Sequence, residues 1–302
     1  MQNTFKKRSE ERIFIPLVRP NTPTNVISEI CKNSKYIAFN HYEVQKQKFL
    51  YGKIKKKGLR NFYNIPNQTK IVLTSTAPDK YLLFNLFLDG PEKFKNDVID
   101  FSPDYFMGPD LLTYKYLPNK INELFVNKAI EFALACKEIQ GLLPNIHGET
   151  EEQRDKYIST FTKLGYKTFI FPGRERIINL KGRVKDEKIL ESIVSKLKKK
   201  HEINLLITGP STPRQHKLIH SANGFIGLGY FTLGMKRILF EGHKTKNIVA
   251  NKNFKCEDKC CIGLTTQKLC HKNNDVRRIL HNLFIIQKNI NYQMEEIQTY
   301  LN

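Results

Sequence analysis

The stretch LLPNIHGETEEQRDKYISTFTKLGYKTFIF, residues 142–171, decides the fold class of this chain. The apolar run Leu142–Ile146 predicts a strand, the mixed segment Glu151–Leu164 predicts a helix, and Thr168–Phe171 predicts a second strand. Two consecutive strands joined through a helix lie parallel in one sheet. The stretch therefore predicts one unit of a parallel α/β fold.

The same alternation of strands and helices extends in both directions along the chain. The further predicted strands are Ile13–Val18, Tyr36–Phe39, Ile71–Thr74, Ile203–Ile207 and Gly224–Leu228. The further predicted helices are Asn25–Lys32, Ile121–Lys137, Glu187–Lys200 and Pro213–Ser221. With the runs between them, about eight strands fit, which favours a (β/α)8 TIM-type barrel over a doubly wound sheet. The nucleotide-binding motifs G-x-G-x-x-G and G-x-x-x-x-G-K-[ST] do not occur in the sequence.

Three aspartates are candidates for a catalytic role. Asp89 ends the apolar run Leu82–Leu88, while Asp104 and Asp110 lie in or just beyond the segment Val98–Met107. A carboxylate at the carboxyl end of a barrel strand faces the active site. Turns and helix N-caps also favour aspartate, so a purely structural role is the alternative for each of the three.

The charge balance indicates a polyanionic partner. The chain has 302 residues, enough for one principal domain, and carries 50 Lys and Arg against 29 Asp and Glu, a formal net charge of +21. Such a positive field favours nucleic acid, either tRNA or DNA, although solvated surface charge explains basic runs as well. The candidate nucleic-acid contacts are Lys55, Lys56, Lys57, Arg60, Lys236 and Arg237.

The N-terminus is polar, with Lys6, Lys7 and Arg8, and no apolar run approaches twenty residues. Neither a signal peptide nor a membrane-spanning helix is expected from these features. The sequence therefore predicts a cytoplasmic protein without membrane contact, in which structural disulfides are not expected.

Four of the six cysteines lie in one short window near the C-terminus and predict a zinc site. The window runs from Cys256 to Cys270 and is followed by the triplet His-Asn-Leu at 281–283. Zinc in structural sites takes four thiolate or imidazole ligands in a tetrahedron. The first-choice ligands are Cys256, Cys260, Cys261 and His281. The alternatives for the fourth ligand are Cys270 and Asp258, with His271 as a further candidate. Reduced thiols without a metal are the alternative interpretation.

These features predict an α/β chain in which a (β/α)8 TIM-type barrel carries a zinc-binding insertion near the C-terminus. The expected organisation is a charged lead at 1–12 and a barrel at 13–302, with a zinc-binding subdomain at about 250–285. Apolar residues at helical spacing predict a last helix over Asp275–Leu301. We expect this helix to pack on the barrel and to hold His281 toward the metal.

The zinc cluster, the His-Asn-Leu triplet and the barrel together resemble the tRNA-guanine transglycosylases, most of all the archaeal branch that makes archaeosine. The resemblance covers the chain from about Ile13 to Leu301. The segments that carry it are IFIPLVRPN (13–21), YIAFNHYEVQ (36–45), KKGLRNFYNIPNQTKIVLTS (56–75), VIDFSPDYFMGPD (98–110), IHGETEEQR (146–154), LITGPSTP (206–213) and FIGLGYFTLGMKR (225–237).

The resemblance implies a specific chemistry. In the family, one aspartate attacks the ribose C1′, expels guanine and holds a covalent nucleic-acid intermediate, until a 7-deazaguanine base replaces it. A second aspartate transfers protons. Family members bind zinc, dimerise around the zinc region, and include non-catalytic paralogues that pair with a catalytic subunit. A homodimer, or a heterodimer with a catalytic transglycosylase, is therefore the expected assembly.

The resemblance also implies base-binding positions. Gly148 and Arg154 match the family's Gln-Gly-Gly motif and its later arginine, while His147 replaces the base-reading glutamine. Gly173 and Tyr230 complete the expected substrate-binding set, beside the basic residue Arg174.

The departures from the family pattern concern catalysis. The position expected to hold the nucleophile is Ile226, and the position expected to hold the second aspartate is Ser75. An isoleucine has no lone pair to attack with, and a serine without an adjacent base is a poor substitute.

The sequence therefore predicts a transglycosylase-like protein of 7-deazaguanine modification that serves as a non-catalytic tRNA-binding or partner subunit. The alternative is an active transglycosylase that exchanges guanine in tRNA or DNA through Asp89, Asp104 or Asp110. A zinc protein that binds nucleic acid without any link to deazaguanine is the third interpretation.

Overall fold

The structure is a computed structural model that describes residues 12–111, 113–173, 187–249, 265–271 and 274–301 of the chain. For Asn85, Leu86, Thr266 and residues 291–301, only the backbone is described. The strands are β1 (Ile13–Val18), β2 (Tyr36–Asn40), β3 (Lys70–Thr74), β4 (Tyr105–Met107), β5 (Leu142–Leu143), β6 (Thr168–Pro172), β7 (Asn204–Thr208), β8 (Gly224–Gly227), β9 (Ile238–Glu241) and β10 (Lys244–Asn247).

Helices alternate with the first eight strands, and two follow the β9–β10 hairpin. They are α1 (Thr24–Asn33), α2 (His41–Lys46), α3 (Lys48–Tyr63), α4 (Asp79–Leu82), the π-helix Leu83–Phe87, α5 (Glu92–Phe101), α6 (Asn119–Ala135), α7 (Glu151–Thr162), α8 (Glu187–His201), α9 (Pro213–Leu218), α10 (Gly229–Met235), α11 (Thr266–Cys270) and α12 (Asp275–Leu301). Among the helices of the described residues, none is both long and apolar enough to cross a membrane.

The first eight strands form one parallel sheet in the order β5-β4-β3-β2-β1-β8-β7-β6. Just beyond β5, a parallel bridge between Asn145 and Ile170 of β6 joins the two ends of this order. Two hydrogen bonds support the bridge: Ile146 N donates to Ile170 O at 2.8 Å, and Ile170 N donates to Pro144 O at 2.9 Å. The predicted α/β class is confirmed, and the sheet is a nearly closed barrel with alternating helices.

The register of the strands aligns their carboxyl ends. Asn40 at the end of β2 pairs with Thr74 at the end of β3. The row continues into β4 and β5, where Met107 pairs with Leu143. The segments that follow these four residues therefore lie at one edge of the sheet, the edge that carries functional side chains in barrels of this type.

The chain divides into two compact units, and the larger consists of Pro16–Pro172 with Leu197–Leu205. Its core is aromatic as well as aliphatic. The rings of Phe39 and Tyr63 stack at a centroid distance of 4.8 Å, and both side chains are buried. Such packing contributes about 0.5–1.5 kcal/mol per aromatic pair beyond the burial of apolar area.

The described residues of the second unit fall within Met1–Ile15, Gly173–Lys196 and Leu206–Asn302. Its core includes the stacked rings of His216 and Phe225, whose centroids are 4.3 Å apart. Both side chains are buried, so this histidine packs as a ring of the core.

Arg12, the last residue of the predicted charged lead, is buried in the second unit. Its guanidinium donates to the carbonyls of Ala222 at 3.1 Å, His216 at 2.8 Å and Ile219 at 2.9 Å. Burial lowers the pKa of this guanidinium to about 10. Arg12 therefore fastens the loop before β8 to β1, a structural role that the charge pattern did not predict.

The apolar run Leu82–Leu88 differs from a barrel strand. It folds as the end of α4 followed by the π-helix, so Asp89 lies in an exposed turn after a helix. A short apolar run fits a strand and a buried helix equally well, so the sequence alone does not show which of the two Leu82–Leu88 forms. The prediction that Asp89 lies at the end of a strand is therefore wrong.

Candidate functional site

Three buried polar side chains meet at the carboxyl edge of β4 and β5. Asn145 Nδ2 lies 3.0 Å from Asp110 Oδ1 and 3.2 Å from His147 Nε2. His147 Nε2 lies 4.0 Å from the same carboxylate oxygen. All three side chains are buried, so their mutual hydrogen bonds act with little competition from water. We call Asp110, Asn145 and His147 the mouth cluster.

The hydrogen bonds of the mouth cluster define its protonation. Asn145 Nδ2 is a donor only, so both Asp110 Oδ1 and His147 Nε2 act as acceptors. An imidazole that accepts at Nε2 is neutral and carries its proton on Nδ1. Asn145 Oδ1 is buried and accepts no hydrogen bond from the described residues. The cluster thus combines one carboxylate with a neutral imidazole and an amide oxygen.

Thr113 and the turn after β5 hold the mouth cluster in place. Gly148 N donates to Thr113 Oγ1 at 3.3 Å, and Arg154 Nη1 donates to the carbonyls of Gly148 at 3.1 Å and Glu149 at 2.8 Å. Gly148 has φ +123°, and a Cβ at this position would approach Gln153 Cβ to 2.6 Å. Gly148 and Arg154 therefore shape the backbone beside His147, a role that needs glycine at the turn.

Ser75, the position expected to carry the second catalytic aspartate, directly follows β3. Its hydroxyl donates to Gly108 O at 2.6 Å and is buried. The side chain therefore ties the end of β3 to the end of β4. A hydroxyl whose proton points at a carbonyl has no base to activate it, so this arrangement gives no proton-transfer group.

Asp104 lies at the opposite end of β4 from the mouth cluster, just before the strand begins. Its carboxylate binds Arg60 Nη2 at 2.6 Å, Lys70 Nζ at 2.8 Å and Ile71 N at 2.9 Å. Burial alone would raise the pKa of Asp104, but the hydrogen bonds from Lys70 and Ile71 leave it below the ordinary value. Asp104 therefore forms structural ion pairs. Of the three candidate aspartates, Asp110 is the one that lies among buried polar groups at the carboxyl edge.

The remaining predicted base-binding residues lie in the second unit. Gly173 N donates to Thr208 O at 2.9 Å, and a Cβ at Gly173 would come within 2.6 Å of Ile207 Cγ2. Tyr230 is fully buried and packs edge-on against Phe14 at 6.0 Å. Gly173 thus allows close packing against β7, and Tyr230 is part of the core.

Ile226 occupies the expected nucleophile position in β8, where it pairs with Thr208 of β7. It is buried, and its carbonyl accepts from Gly209 N at 3.3 Å. The residue thus behaves as an ordinary core strand residue. Arg174, whose basic side chain was expected beside the base pocket, lies outside the described residues.

The predicted nucleic-acid contacts divide into paired and solvated groups. Lys55 Nζ binds Asp97 Oδ1 at 3.3 Å and Asp100 Oδ2 at 3.1 Å, and Arg60 is held by its ion pair with Asp104. Lys56, Lys57 and Lys236 are exposed, while Arg237 is half-buried in a left-handed turn with φ +58°. The exposed lysines are better placed to contact phosphates than the two paired residues.

Most of the predicted zinc ligands, namely Cys256, Cys260, Cys261 and Asp258, lie outside the described residues. His281 is described and buried, and its Nε2 donates to Phe240 O at 2.8 Å. Metal-bound histidines commonly donate the other ring N–H to a backbone carbonyl, because this fixes the tautomer and the ring orientation. His281 therefore fits a ligand that would bind zinc through Nδ1.

The described cysteines are Cys31, Cys136 and Cys270. Cys270, the alternative fourth ligand, donates from Sγ to Ile248 O at 3.4 Å. Burial raises the pKa of Cys136 to about 11 and also raises that of Cys31, so both remain neutral thiols in the core. Over the described ranges, no three His, Cys, Asp or Glu side chains group as a metal site.

Asn282, the middle residue of the His-Asn-Leu triplet, has a structural role that its sequence position did not reveal. The fully buried amide accepts from Phe240 N at 2.8 Å and donates to Ile238 O at 2.9 Å and Tyr230 O at 3.2 Å. Asn282 thus satisfies three backbone groups of β9 and α10 from one position on α12.

A second buried polar network, around Asp97, lies beneath α2, α3 and α5. Asp97 Oδ2 lies 2.9 Å from His41 Nε2, and Tyr51 OH donates to Asp97 Oδ1 at 2.6 Å. Asp97 falls between Phe94 and Val98 on the apolar face of α5. A carboxylate on an apolar helix face is the signal that could have identified this network from sequence.

Comparison of the chain with protein-family models finds no match, and comparison with curated proteins finds none either. A barrel fold alone supports many chemistries, so the residues and the geometry of the site determine the function.

Proposed function

We propose that this chain is a tRNA-guanine-transglycosylase-like protein of 7-deazaguanine nucleic-acid modification, and that it acts as a non-catalytic tRNA-binding or partner subunit. The observation that carries the proposal is the mouth cluster, a buried carboxylate, amide and neutral imidazole at the carboxyl edge of β4 and β5. The segment 146–154, which contains His147, resembles the family's base-reading stretch, and this resemblance supports a role of the cluster in base recognition.

The chemistry of the mouth cluster suits binding of a purine-like heterocycle. Asp110 offers carboxylate acceptors. Asn145 Oδ1 is a buried acceptor to which no described residue donates, so a ligand N–H that binds it would remove the cost of this unsatisfied group. A site built to hydrogen-bond a ligand discriminates strongly against analogues that lack the matching groups. These groups therefore support recognition of a guanine or 7-deazaguanine edge.

The same geometry supports binding better than base exchange. Exchange requires one carboxylate as nucleophile and a second group for proton transfer. The positions expected to supply them carry Ile226, which packs in the core, and Ser75, whose hydroxyl is bound to a carbonyl. A catalytic subunit of the same family, as a partner, would supply the missing carboxylates.

The second candidate function is an active transglycosylase, and the position of Asp110 favours it. Asp110 is a buried carboxylate beside a neutral histidine, a pairing that can serve as nucleophile and proton acceptor. In this version Asp110 would take the role of the nucleophile in exchange on tRNA or DNA.

The proposal includes one structural zinc ion per chain, held by thiolates of the 256–261 segment and by His281. The ion would cross-link that segment to α12. Structural zinc contributes directly to the free energy of folding. We expect elemental analysis of the purified protein to give one zinc per chain and His281→Ala to lose it. Cys31→Ala, which removes a core thiol from the other unit, should keep the metal. Protein purified without stoichiometric zinc would contradict the metal assignment.

Nucleic-acid binding is expected to weaken steeply with salt, because each neutralised phosphate releases counterions. The slope of log K against log salt should be about −0.9 per contact on duplex regions. Titration of tRNA at several salt concentrations measures it. Lys56→Ala should make the slope less negative by about 1. The matched change Lys32→Ala should not, because Lys32 is occupied by Glu29 at 2.6 Å. Binding indifferent to salt would remove the electrostatic basis of the proposal.

A further inference from the structure

Two stacked tyrosines stand at the carboxyl edge of the larger unit. The rings of Tyr114 and Tyr116 are nearly parallel, with an interplanar angle of 9° and centroids 5.0 Å apart. Tyr116, the outer ring, is 57% exposed. Tyr116 therefore contributes little to the core, and its ring is accessible to a ligand.

The tyrosine pair is fastened by a buried amide. Asn122 in the first turn of α6 accepts from Tyr114 N at 3.0 Å and donates to Tyr114 O at 2.9 Å. At the far end of the inner ring, Tyr114 OH donates to Asp79 Oδ1 at 2.6 Å. The backbone and the hydroxyl of Tyr114 are thus both fixed, so the outer ring rests on a rigid support. A rigid aromatic surface loses little conformational entropy when a ligand stacks on it.

The surroundings of the tyrosine pair carry positive charge. Lys115 and Lys120 are exposed close to the pair along the chain, and Lys80 is exposed next to Asp79, which accepts from Tyr114 OH. Two carboxylates of the adjoining segments are engaged: Asp79 accepts from Tyr114, and Glu123 pairs with Lys156 at 3.8 Å. An exposed ring among lysines matches the combination used for single-stranded nucleic acid, in which bases stack on aromatics while cations follow the phosphates.

The tyrosine pair is also linked to the mouth cluster. Thr113, the residue before Tyr114, accepts from Gly148 N beside His147. Tyr116 lies six positions after Asp110, which limits their Cα distance to at most about 22 Å. A nucleic acid that presents one base to the mouth cluster would have its neighbouring nucleotides within reach of the outer ring.

We propose that Tyr116, supported by Tyr114, is a stacking platform for an unpaired base of the nucleic acid that this protein binds. The proposal rests on the proposed function, because it takes the ligand to be nucleic acid. It adds a defined recognition element: a base next to the one presented to the mouth cluster stacks on Tyr116, while Lys115 and Lys120 contact its phosphates.

The absence of tryptophan from the sequence allows a direct test. Tyr116→Trp introduces a single indole at the platform, and stacking of a base should quench its fluorescence. The probes are short single-stranded RNA and DNA oligonucleotides, together with an abasic oligonucleotide that keeps the phosphates. We expect RNA or DNA with bases to quench the emission and the abasic strand to leave it unchanged.

Binding constants provide the second readout. Loss of one stacked base should weaken binding of Tyr116→Ala by about 5- to 150-fold, whereas Tyr116→Phe keeps the ring and the affinity. The control position is Leu164, which is 53% exposed in the same unit and follows α7 toward the amino end of β6. Leu164→Ala should bind as the parent does, and Leu164→Trp should not be quenched.

The outcomes separate the two proposals. If the parent binds base-containing strands and Tyr116→Ala binds them equally well, the platform is refuted while nucleic-acid binding stands. If the parent binds neither base-containing nor abasic strands, both proposals fail. If Tyr116→Ala changes self-association but not oligonucleotide affinity, the surface belongs to a protein partner and the platform is again refuted.

Discussion

Incubation of the purified protein with tRNA and labelled guanine is expected to give no incorporation above background. The covalent route needs a carboxylate that can reach C1′ and a second group that transfers protons. Ile226 is buried in a strand, and the Ser75 hydroxyl is bound to Gly108 O at 2.6 Å. Removal of a nucleophile costs on the order of 10⁴ to 10⁶ in rate in well-studied triad enzymes, so residual exchange would escape detection.

Incorporation by the protein alone would reverse this conclusion and favour the active transglycosylase. The variants to compare would then be Asp110→Asn, which changes the buried carboxylate of the mouth cluster, and Asp89→Asn, which changes an exposed turn residue. Abolition by the first variant but not by the second would identify Asp110 as the nucleophile. Incorporation that requires an added, aspartate-complete transglycosylase would support the partner-subunit proposal.

Replacement of Asp97 by alanine is expected to destabilise the protein by about 2–6 kcal/mol, because two buried donors lose their acceptor at about 1–3 kcal/mol each. The carboxylate is fully buried and takes hydrogen bonds from His41 at 2.9 Å and Tyr51 at 2.6 Å. Asp100→Ala is the matched control, because Asp100 shares the partner Lys55 but is 38% exposed. Its loss should cost about 0–1 kcal/mol. Denaturant unfolding of the three proteins measures both values, and equal effects would contradict the assigned role.

The same network predicts an acid-dependent loss of stability. Burial alone would raise the pKa of Asp97, but the hydrogen bonds from His41 and Tyr51 lower it below its ordinary value. A carboxylate whose folded pKa is depressed stabilises the protein above the unfolded pKa of about 3.9 and loses this contribution as pH falls through the folded value. The stability difference between the parent and Asp97→Asn should therefore shrink below about pH 4. A difference independent of pH would argue against an ionised Asp97.

The sequence predicted the barrel because the strands and helices of its second half have distinct periods. Leu142–Ile146 and Thr168–Phe171 correspond to β5 with its following bridge and to β6, and the helix between them is α7. The first half was harder to interpret, because β4 has only three residues and the run Leu82–Leu88 is helical. Length and composition do not separate a short buried strand from a short buried helix.

The candidate site was predicted only in part for the same reason. Asp104 and Asp110 flank a strand of three residues, and the sequence does not show which end of the strand each one occupies. Asn145 is not among the predicted site residues, although its spacing of two from His147 places both side chains on one face of an extended chain. The hydrogen bonds of Asn122 and Asn282 join segments far apart in sequence, so no local pattern could reveal them.

Asn282 also fixes the position of the last helix, α12, along its axis relative to β9. An α-helix turns by about 100° and rises about 1.5 Å per residue, so a slip of one position would carry the amide away from β9. Such a slip would leave Phe240 N and Ile238 O buried without partners, at about 1–3 kcal/mol each. Only one alignment of α12 avoids this penalty, and in that alignment the imidazole of His281 is already oriented. The orientation of this histidine is thus encoded in its neighbour, independently of any ion.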